Sequence, residues 1–419
     1  MSLSGRQSFL FCNRSGKRQR KPAMTRTTSS LHRIYSIDVL RGAVMVIMAL
    51  DHVRDFFHYT ASTDSPTNLV TTTVSLFFTR WITHFCAPTF VFLAGISAFL
   101  MGQKKTNRQL AAFLIKRGFW LILVEILIVT LAWTYNPFYN LIILQVIWAI
   151  GLSMIILGCM AWLSPNIILL VGLMIIGLHN LLDYAELSRH GQVNIIWELA
   201  HHGNFKLEAL SGNHLFVIVY AFLPWTGIML TGYGLGRIFT AGFDAAGRRS
   251  ILFGLGTSFL LLFILLRYIN HYGDPVPWHI QRSQLFSWLS FINLSKYPPS
   301  LDYITMTLGT AMIILGLLDR ISRNSFSFLR VFGSVPFFFY VLHIYLIHTI
   351  TVIVFFVEGF SQKDILPQNS PFFFRPDHFG FHLPGVYLIW VLVLIILYPL
   401  CKKYNRYKST HSKWWLSYL

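Results

Sequence analysis

Two short runs place charge where the surrounding chain is apolar. Asp51-His52-Val53-Arg54-Asp55 follows the apolar stretch 43–50, and Arg80-Trp81-Ile82-Thr83-His84 lies within a second apolar segment. Ionisable side chains inside a membrane-spanning segment are costly, so each is a functional-site candidate by default. Asp51 and Asp55 are four residues apart, as are Arg80 and His84, and such pairs share a helix face. With a first helix entering near residue 37, His52 lies about 22 Å along it; a second helix returning from residue 74 carries Arg80 and His84 about 9–15 Å inward. Two Asp, two His and Arg80 thus meet at matched depth. A histidine there can take the proton of an attacking hydroxyl or amine near neutral pH. Asp51 or Asp55 can orient its ring and stabilise the imidazolium. Arg80 can stabilise an oxyanion or hold a carboxylate. His52, Asp51, Asp55, Arg80 and His84 are therefore the catalytic candidates. The same groups would also serve as an ion-pair network tying two helices, or as the proton relay of a transporter.

The elements that must position these residues follow from composition. Of 419 residues, 54% are hydrophobic and 12% charged, and 34 Lys and Arg against 16 Asp and Glu give a net charge of +18. A water-soluble domain carries about 25% charged residues, and a disordered chain is polar. Nucleic-acid binding would need the basic residues clustered on one soluble face. Apolar runs near the roughly 20 residues needed to span a bilayer fall at 37–57, 74–100, 111–133, 139–162, 166–182, 215–238, 250–269, 301–319, 333–357 and 383–401. They do not alternate as barrel strands do. The expected fold is all-α, a polytopic transmembrane bundle of about ten helices. Twenty-four of the 34 Lys and Arg fall in the tails and loops of one side and seven in the longer loops opposite, which places both termini in the cytoplasm. The chain divides into a basic, disordered tail over 1–32, a transmembrane domain over 33–402 and a basic tail over 403–419.

The N-terminal tail lacks the apolar core of a signal peptide, and Met24 is an alternative start. The four cysteines, Cys12, Cys86, Cys159 and Cys401, imply no disulfide framework. No metal-ligand spacing or phosphate loop is present, and Gly232-Tyr233-Gly234-Leu235-Gly236 reads as close helix packing. Further buried polar candidates are Asp38 with Arg41, Glu125, Gln145, and His343 and His348 beside Tyr340 and Tyr345. Glu198, His201, His202, Glu208 and His214 share an outer loop but match no compact metal site. The double proline in Lys296-Tyr297-Pro298-Pro299-Ser300 frees backbone groups that line an outer cavity or a plain loop.

The pattern Ser36-Ile37-Asp38-x-Leu40-Arg41-Gly42, continued by Asp51-His52-x-Arg54-x-Phe56-Phe57, resembles the bacterial relatives of heparan-alpha-glucosaminide N-acetyltransferase. Thr79-Arg80-Trp81, Phe92-Leu93-Ala94-Gly95 and Lys296-Tyr297-Pro298-Pro299-Ser300 fit the same group, and the resemblance spans nearly all of 33–402. The Arg41-to-His52 spacing is similar to that of the acyltransferase-3 family. The lysosomal enzyme has its proposed catalytic histidine in the first outer loop, where this chain offers only His58; His52 and His58 are both candidates, and the acyltransferase-3 spacing favours His52. The resemblance implies transfer of an acyl group, acetyl above all, from cytosolic acetyl-CoA to a sugar amine or hydroxyl on the far face of the bacterial inner membrane. It implies acetyl-CoA as co-substrate, no permanently bound cofactor and no metal. CoA phosphates would meet basic residues of the cytoplasmic rim, Arg41, Lys116, Arg117 and Arg237 among them. Partners are then acyl-CoA, a glycan or other small acceptor and the lipid bilayer, with no nucleic acid; a homo-oligomer is allowed. The alternative function is a proton-coupled transporter or exporter using the Asp/His cluster.

Overall fold

In a computed structural model the structure describes residues 34–188, 194–203, 205, 207–321, 325–366, 371–377 and 379–417. The basic tail over 1–32, with Met24 and Cys12, lies outside the described residues. The described chain is mostly helical: α1 (Tyr35–Phe57), α2 (Val74–Trp81), α3 (Cys86–Gly102), α4 (Asn107–Val124), α5 (Thr130–Thr134), α6 (Val146–Cys159), α7 (Pro165–Leu178), α8 (Leu181–Ser188), α9 (Ile195–Trp197), α10 (Phe222–Leu235), α11 (Ala245–Ile269), α12 (Gln284–Ile292), α13 (Leu301–Leu318), α14 (Ser327–Ser334), α15 (Pro336–Val357) and α16 (Leu383–Thr410). Each of the ten apolar segments contains a helix. Five stretches among the described residues are long and apolar enough to cross a membrane: Val74–Gly102, α11, α13, α15 and α16. The protein is an integral membrane protein.

Backbone contact between helices comes from small residues, because lipid offers no hydrophobic force to drive apolar surfaces together. A Cβ on Gly42 of α1 would stand 1.9 Å from the carbonyl oxygen of Leu329, and one on Gly333 of α14 would stand 1.8 Å from that of Asp38. A Cβ on Gly232 of α10 would stand 2.2 Å from the carbonyl oxygen of Phe92 in α3. The Gly232–Gly236 run is thus a helix-packing surface. Around α1 lie α3, α14, α15 and α16, while α10 packs on α3, α6 and α7.

A small sheet departs from the all-α expectation. Its strands are β1 (Leu141–Leu144), β2 (Leu207–Ser211) and β3 (His214–Ile218), in the order β1-β3-β2. β1 runs parallel to β3, with Leu141 opposite Leu215, and β2 pairs antiparallel with β3, with Leu207 opposite Val217. The sequence hides it because each flanking strand runs into an apolar helix. Only Gln145 separates β1 from α6, and β3 leads within a few residues to α10, so each pair reads as one long span. The sheet places Gln145, the residue after β1, near Tyr220, two residues past β3: the Val219 and Tyr220 amides donate to the Leu144 carbonyl at 3.0 and 3.3 Å.

Two buried arginines close the ends of spans. Arg375 donates from Nε to the Phe56 carbonyl at 3.0 Å and from Nη2 to the His58 carbonyl at 2.7 Å. It thereby satisfies acceptors that the end of α1 leaves open and complements the negative end of the helix dipole. Arg267 at the end of α11 donates to the carbonyls of Phe291, Val276, Ser290 and Asn293. This fixes the loop that leads to Lys296.

Candidate active site

The charged run of α1 is folded into a closed network. Asp51 accepts from Arg54 Nη2 at 2.8 Å through one carboxylate oxygen and from Arg80 Nη1 at 2.7 Å through the other. Arg54 Nη2 also reaches Asp55 at 2.6 Å. Arg80 Nη1 donates in addition to Thr83 Oγ1 at 3.0 Å. The expected meeting of Asp51, Asp55 and Arg80 at one depth is therefore present in the structure.

Arg80 and His84 do not continue one regular helix face. α2 ends at Trp81, a 3-10 turn covers Ile82–Phe85, and α3 starts at Cys86. Pro88 causes the break, since a proline lacks the N–H that would bond the carbonyl four residues back and its ring crowds that carbonyl. The carbonyl is that of His84, and the Tyr303 hydroxyl donates to it at 2.7 Å. The His84 ring is buried against Tyr303, and its Nδ1 has no hydrogen-bond partner among the described residues.

His52 finds its partner elsewhere. Its Nδ1 lies 2.7 Å from Nε2 of His343 in α15, and the two rings are within 18° of parallel. His343 Nδ1 lies 3.0 Å from the Phe339 carbonyl, which can only accept. His343 therefore carries its hydrogen on Nδ1 and offers a lone pair at Nε2. His52 must donate from Nδ1, which leaves His52 Nε2 as an unprotonated lone pair. This is the form a general base needs. Trp133 of α5 stands edge-on to the His52 ring at 4.9 Å and Tyr340 at 6.5 Å. The orienting bond thus comes from His343, not from Asp51 or Asp55. His343 was visible in the sequence only as one histidine in an apolar helix.

Asp51 and His52 line a narrow cavity of about 40 Å³, together with Val44, Met45, Met48, Thr83, Cys86, Gln145, Tyr220, Tyr340 and Lys296. From His52 it follows α1 back to Val44, about 12 Å toward the helix N-terminus. Lys296 is buried, 5.9 Å from the Tyr220 ring centre and 5.1 Å from that of Tyr297. Its loop is held by Asp274, which accepts from the Ser295 amide at 2.9 Å and from the Ser300 hydroxyl at 2.7 Å. Among the described residues Lys296 has no ion-pair partner. Glu125, in the π-helical turn Glu125–Val129, accepts from the Trp148 amide at 2.8 Å and so caps α6.

The other candidates lie outside this cavity. His58 caps the end of α1; its Nδ1 is 2.9 Å from Thr60 Oγ1 and accepts from the Thr60 amide at 3.4 Å. Arg41 donates to Asp38 at 3.1 Å, to the Gly333 carbonyl at 3.2 Å and to Ser97 at 2.9 Å, joining α1 to α14 and α3. Lys116 is exposed and Arg117 half-buried on α4, and exposed Arg237 donates to Asn166 at 2.5 Å. In the outer loop His201 pairs with Asp183 at 2.8 Å and His202 with Glu186. Among the described residues no three His, Cys, Asp or Glu side chains group as metal ligands. Cys86, Cys159 and Cys401 are free thiols.

No curated protein matches the chain. The sequence model of the family described as heparan-alpha-glucosaminide N-acetyltransferase, catalytic, matches residues 33–265, more than half of the chain. That stretch contains His52, Asp51, Asp55, Arg80 and His84, of which Asp51 and His52 line the cavity. The chain belongs to the heparan-alpha-glucosaminide N-acetyltransferase family, a family of acetyltransferases.

Proposed function

We propose that the protein moves an acetyl group from cytosolic acetyl-CoA to a sugar amine or hydroxyl at the far face of the bacterial cytoplasmic membrane. The observation that carries this reading is the His52–His343 hydrogen bond, which leaves the His52 Nε2 lone pair on a residue that lines the cavity. The Arg41-to-His52 spacing, similar to that of acyltransferase-3 enzymes, supports the same choice of base. His52 Nε2 takes the proton of the acceptor as its nitrogen or oxygen attacks the thioester carbonyl carbon. The imidazolium returns that proton to the departing CoA sulfur. His343 holds the ring and accepts from Nδ1 throughout. Asp51, Asp55, Arg54 and Arg80 brace α1 against α2 and supply the fixed charge around the base. His84 acts as a positioning residue through Tyr303.

The donor enters from the α1 N-terminal side, which the distribution of Lys and Arg places in the cytoplasm. The Val44–Met48 wall of the cavity accommodates the apolar arm of the thioester. Lys116, Arg117 and Arg237, with Arg41 near the same end, receive the phosphates. The test uses the purified full-length protein with acetyl-CoA and glucosamine. Acetylated sugar and free CoA thiol should form together, and His52→Ala should lower the rate about 10²–10⁴-fold. Full activity in His52→Ala, or no acetyl-CoA turnover by the wild type, overturns the reading. Mass spectrometry of CoA retained through purification checks the donor independently.

A further inference from the structure

The charged cluster beside the cavity holds one positive charge more than its ion pairs use. The carboxylates of Asp51 and Asp55 are matched by the guanidinium groups of Arg54 and Arg80, in contacts of 2.6 to 2.8 Å. Lys296 comes in addition. It is 8% exposed, lines the cavity beside Asp51 and His52, and has no ion-pair partner among the described residues. The faces of Tyr220 and Tyr297 offset part of its charge. Such contacts do not replace a counter-ion, and a buried unpaired ammonium is expensive to keep. Arg80, the other candidate for meeting developing negative charge, turns its Nη1 to Asp51 and Thr83 and does not line the cavity.

We propose that Lys296 is a catalytic residue whose ammonium stabilises the oxyanion formed during acyl transfer, an inference that rests on the acetyltransferase reading above. As the acceptor nitrogen or oxygen bonds to the thioester carbonyl carbon, the carbonyl π pair moves onto its oxygen. Lys296 Nζ meets that charge while His52 Nε2 takes the acceptor's proton. Collapse re-forms the carbonyl and breaks the carbon–sulfur bond. The sulfur leaves with the electron pair and is protonated from the imidazolium. A cation held in place beside the reacting carbonyl needs no reorganisation as the charge appears, which is where such groups act most strongly. The Asp274 clamp on Ser295 and Ser300 supplies the fixing.

The test compares Lys296→Met, Lys296→Gln and Lys296→Arg with wild type in the full-length protein in lipid nanodiscs, with acetyl-CoA and glucosamine. Removal of the charge should lower kcat about 10²–10³-fold. KM for both substrates should stay within about threefold, the pattern of an interaction made only in the transition state. Lys296→Arg should recover a large part of the loss. Acetyl-CoA binding by calorimetry reports whether each variant is folded, and Lys296→Gln against Lys296→Arg decides the matter where Lys296→Met does not fold. Unchanged kcat in folded Lys296→Gln, or a loss confined to acceptor KM, overturns the inference. Those outcomes leave the acetyltransferase reading intact as long as wild type turns over and His52→Ala does not. A wild-type protein without His52-dependent turnover instead overturns the reading itself.

Discussion

His52 of α1 donates its Nδ1 hydrogen to Nε2 of His343 in α15, 2.7 Å away, and His343 commits its own Nδ1 hydrogen to the carbonyl of Phe339. The chain of three groups ends on an atom that can only accept, so the direction of every hydrogen in it is determined. Replacing His343 by Phe keeps much of the ring volume and removes the acceptor. His52 is then free to adopt the other tautomer, with its hydrogen on Nε2 and no lone pair for the substrate. The expected result is a fall in kcat of about 10²-fold or more with KM for acetyl-CoA nearly unchanged. His343→Gln, whose side-chain carbonyl can still accept from Nδ1, should recover part of it. A Phe variant as active as wild type would show that His343 does no orienting.

The two halves of that pair differ in how they could be read from sequence. His52 stands in a dense charged run whose spacing predicts a shared depth with Arg80. Asp51 and Arg80 do meet, at 2.7 Å. The register of His84 is lost because Pro88 interrupts the helix, and a pattern of four-residue spacing does not see that turn. His343 and Lys296 lie beyond the stretch matched by the family model. Each is separated from His52 by more than 240 residues, and only packing of α15 and of the Asp274-held loop against α1 brings them near. The sheet is hidden in the sequence for a local reason, since β1 and β3 are apolar and abut apolar helices.

The Asp51 carboxylate is shared by the guanidinium groups of Arg54 and Arg80, and its removal leaves both with excess positive charge inside the protein. Asp51→Leu should therefore destabilise the fold by roughly 3–5 kcal/mol, the cost of breaking a buried pair from one side. Adding Arg80→Leu should restore part of that loss, because the double variant no longer strands the Arg80 charge. The measurement is a double-mutant cycle of thermal unfolding in detergent. Strict additivity of the two single changes would mean that Asp51 and Arg80 are not coupled.

The α1–α14 crossing depends on Gly42 and Gly333, whose Cα atoms face the carbonyls of Leu329 and Asp38. Gly42→Ala puts a methyl group 1.9 Å from backbone, which side-chain rotation cannot relieve. It should cost about 1–3 kcal/mol or more through overpacking. Gly254→Ala in α11 is the control, since nothing among the described residues lies within 4 Å of its added carbon. That change should be neutral or stabilise by up to about 1 kcal/mol through helix propensity. Melting temperatures of the two variants in the same detergent test the contrast, and equal shifts would remove the argument for close backbone contact.

His58 is the other histidine near the end of α1, and its chemistry separates it from His52. Burial, with Arg54, His382 and Arg375 nearby, pushes its pKa down to about 4 from an ordinary 6.5. Its Nδ1 is occupied as an acceptor from the Thr60 amide, which leaves the hydrogen on Nε2. His58 is therefore neutral at physiological pH and turns its lone pair toward its own loop, outside the cavity that His52 lines. The sign of its effect on stability follows from the lowered value. As pH falls below 6.5 the unfolded chain takes up the proton first, so stability is lost between 6.5 and about 4. Below that range both states are protonated and the loss stops growing. His58→Gln keeps a hydrogen-bonding side chain but cannot titrate. It should leave kcat within about threefold of wild type and flatten the fall in melting temperature between pH 6.5 and 4. A His58→Gln enzyme that has lost its activity while keeping its melting temperature would move the role of base from His52 to His58, and with it the point at which donor and acceptor meet.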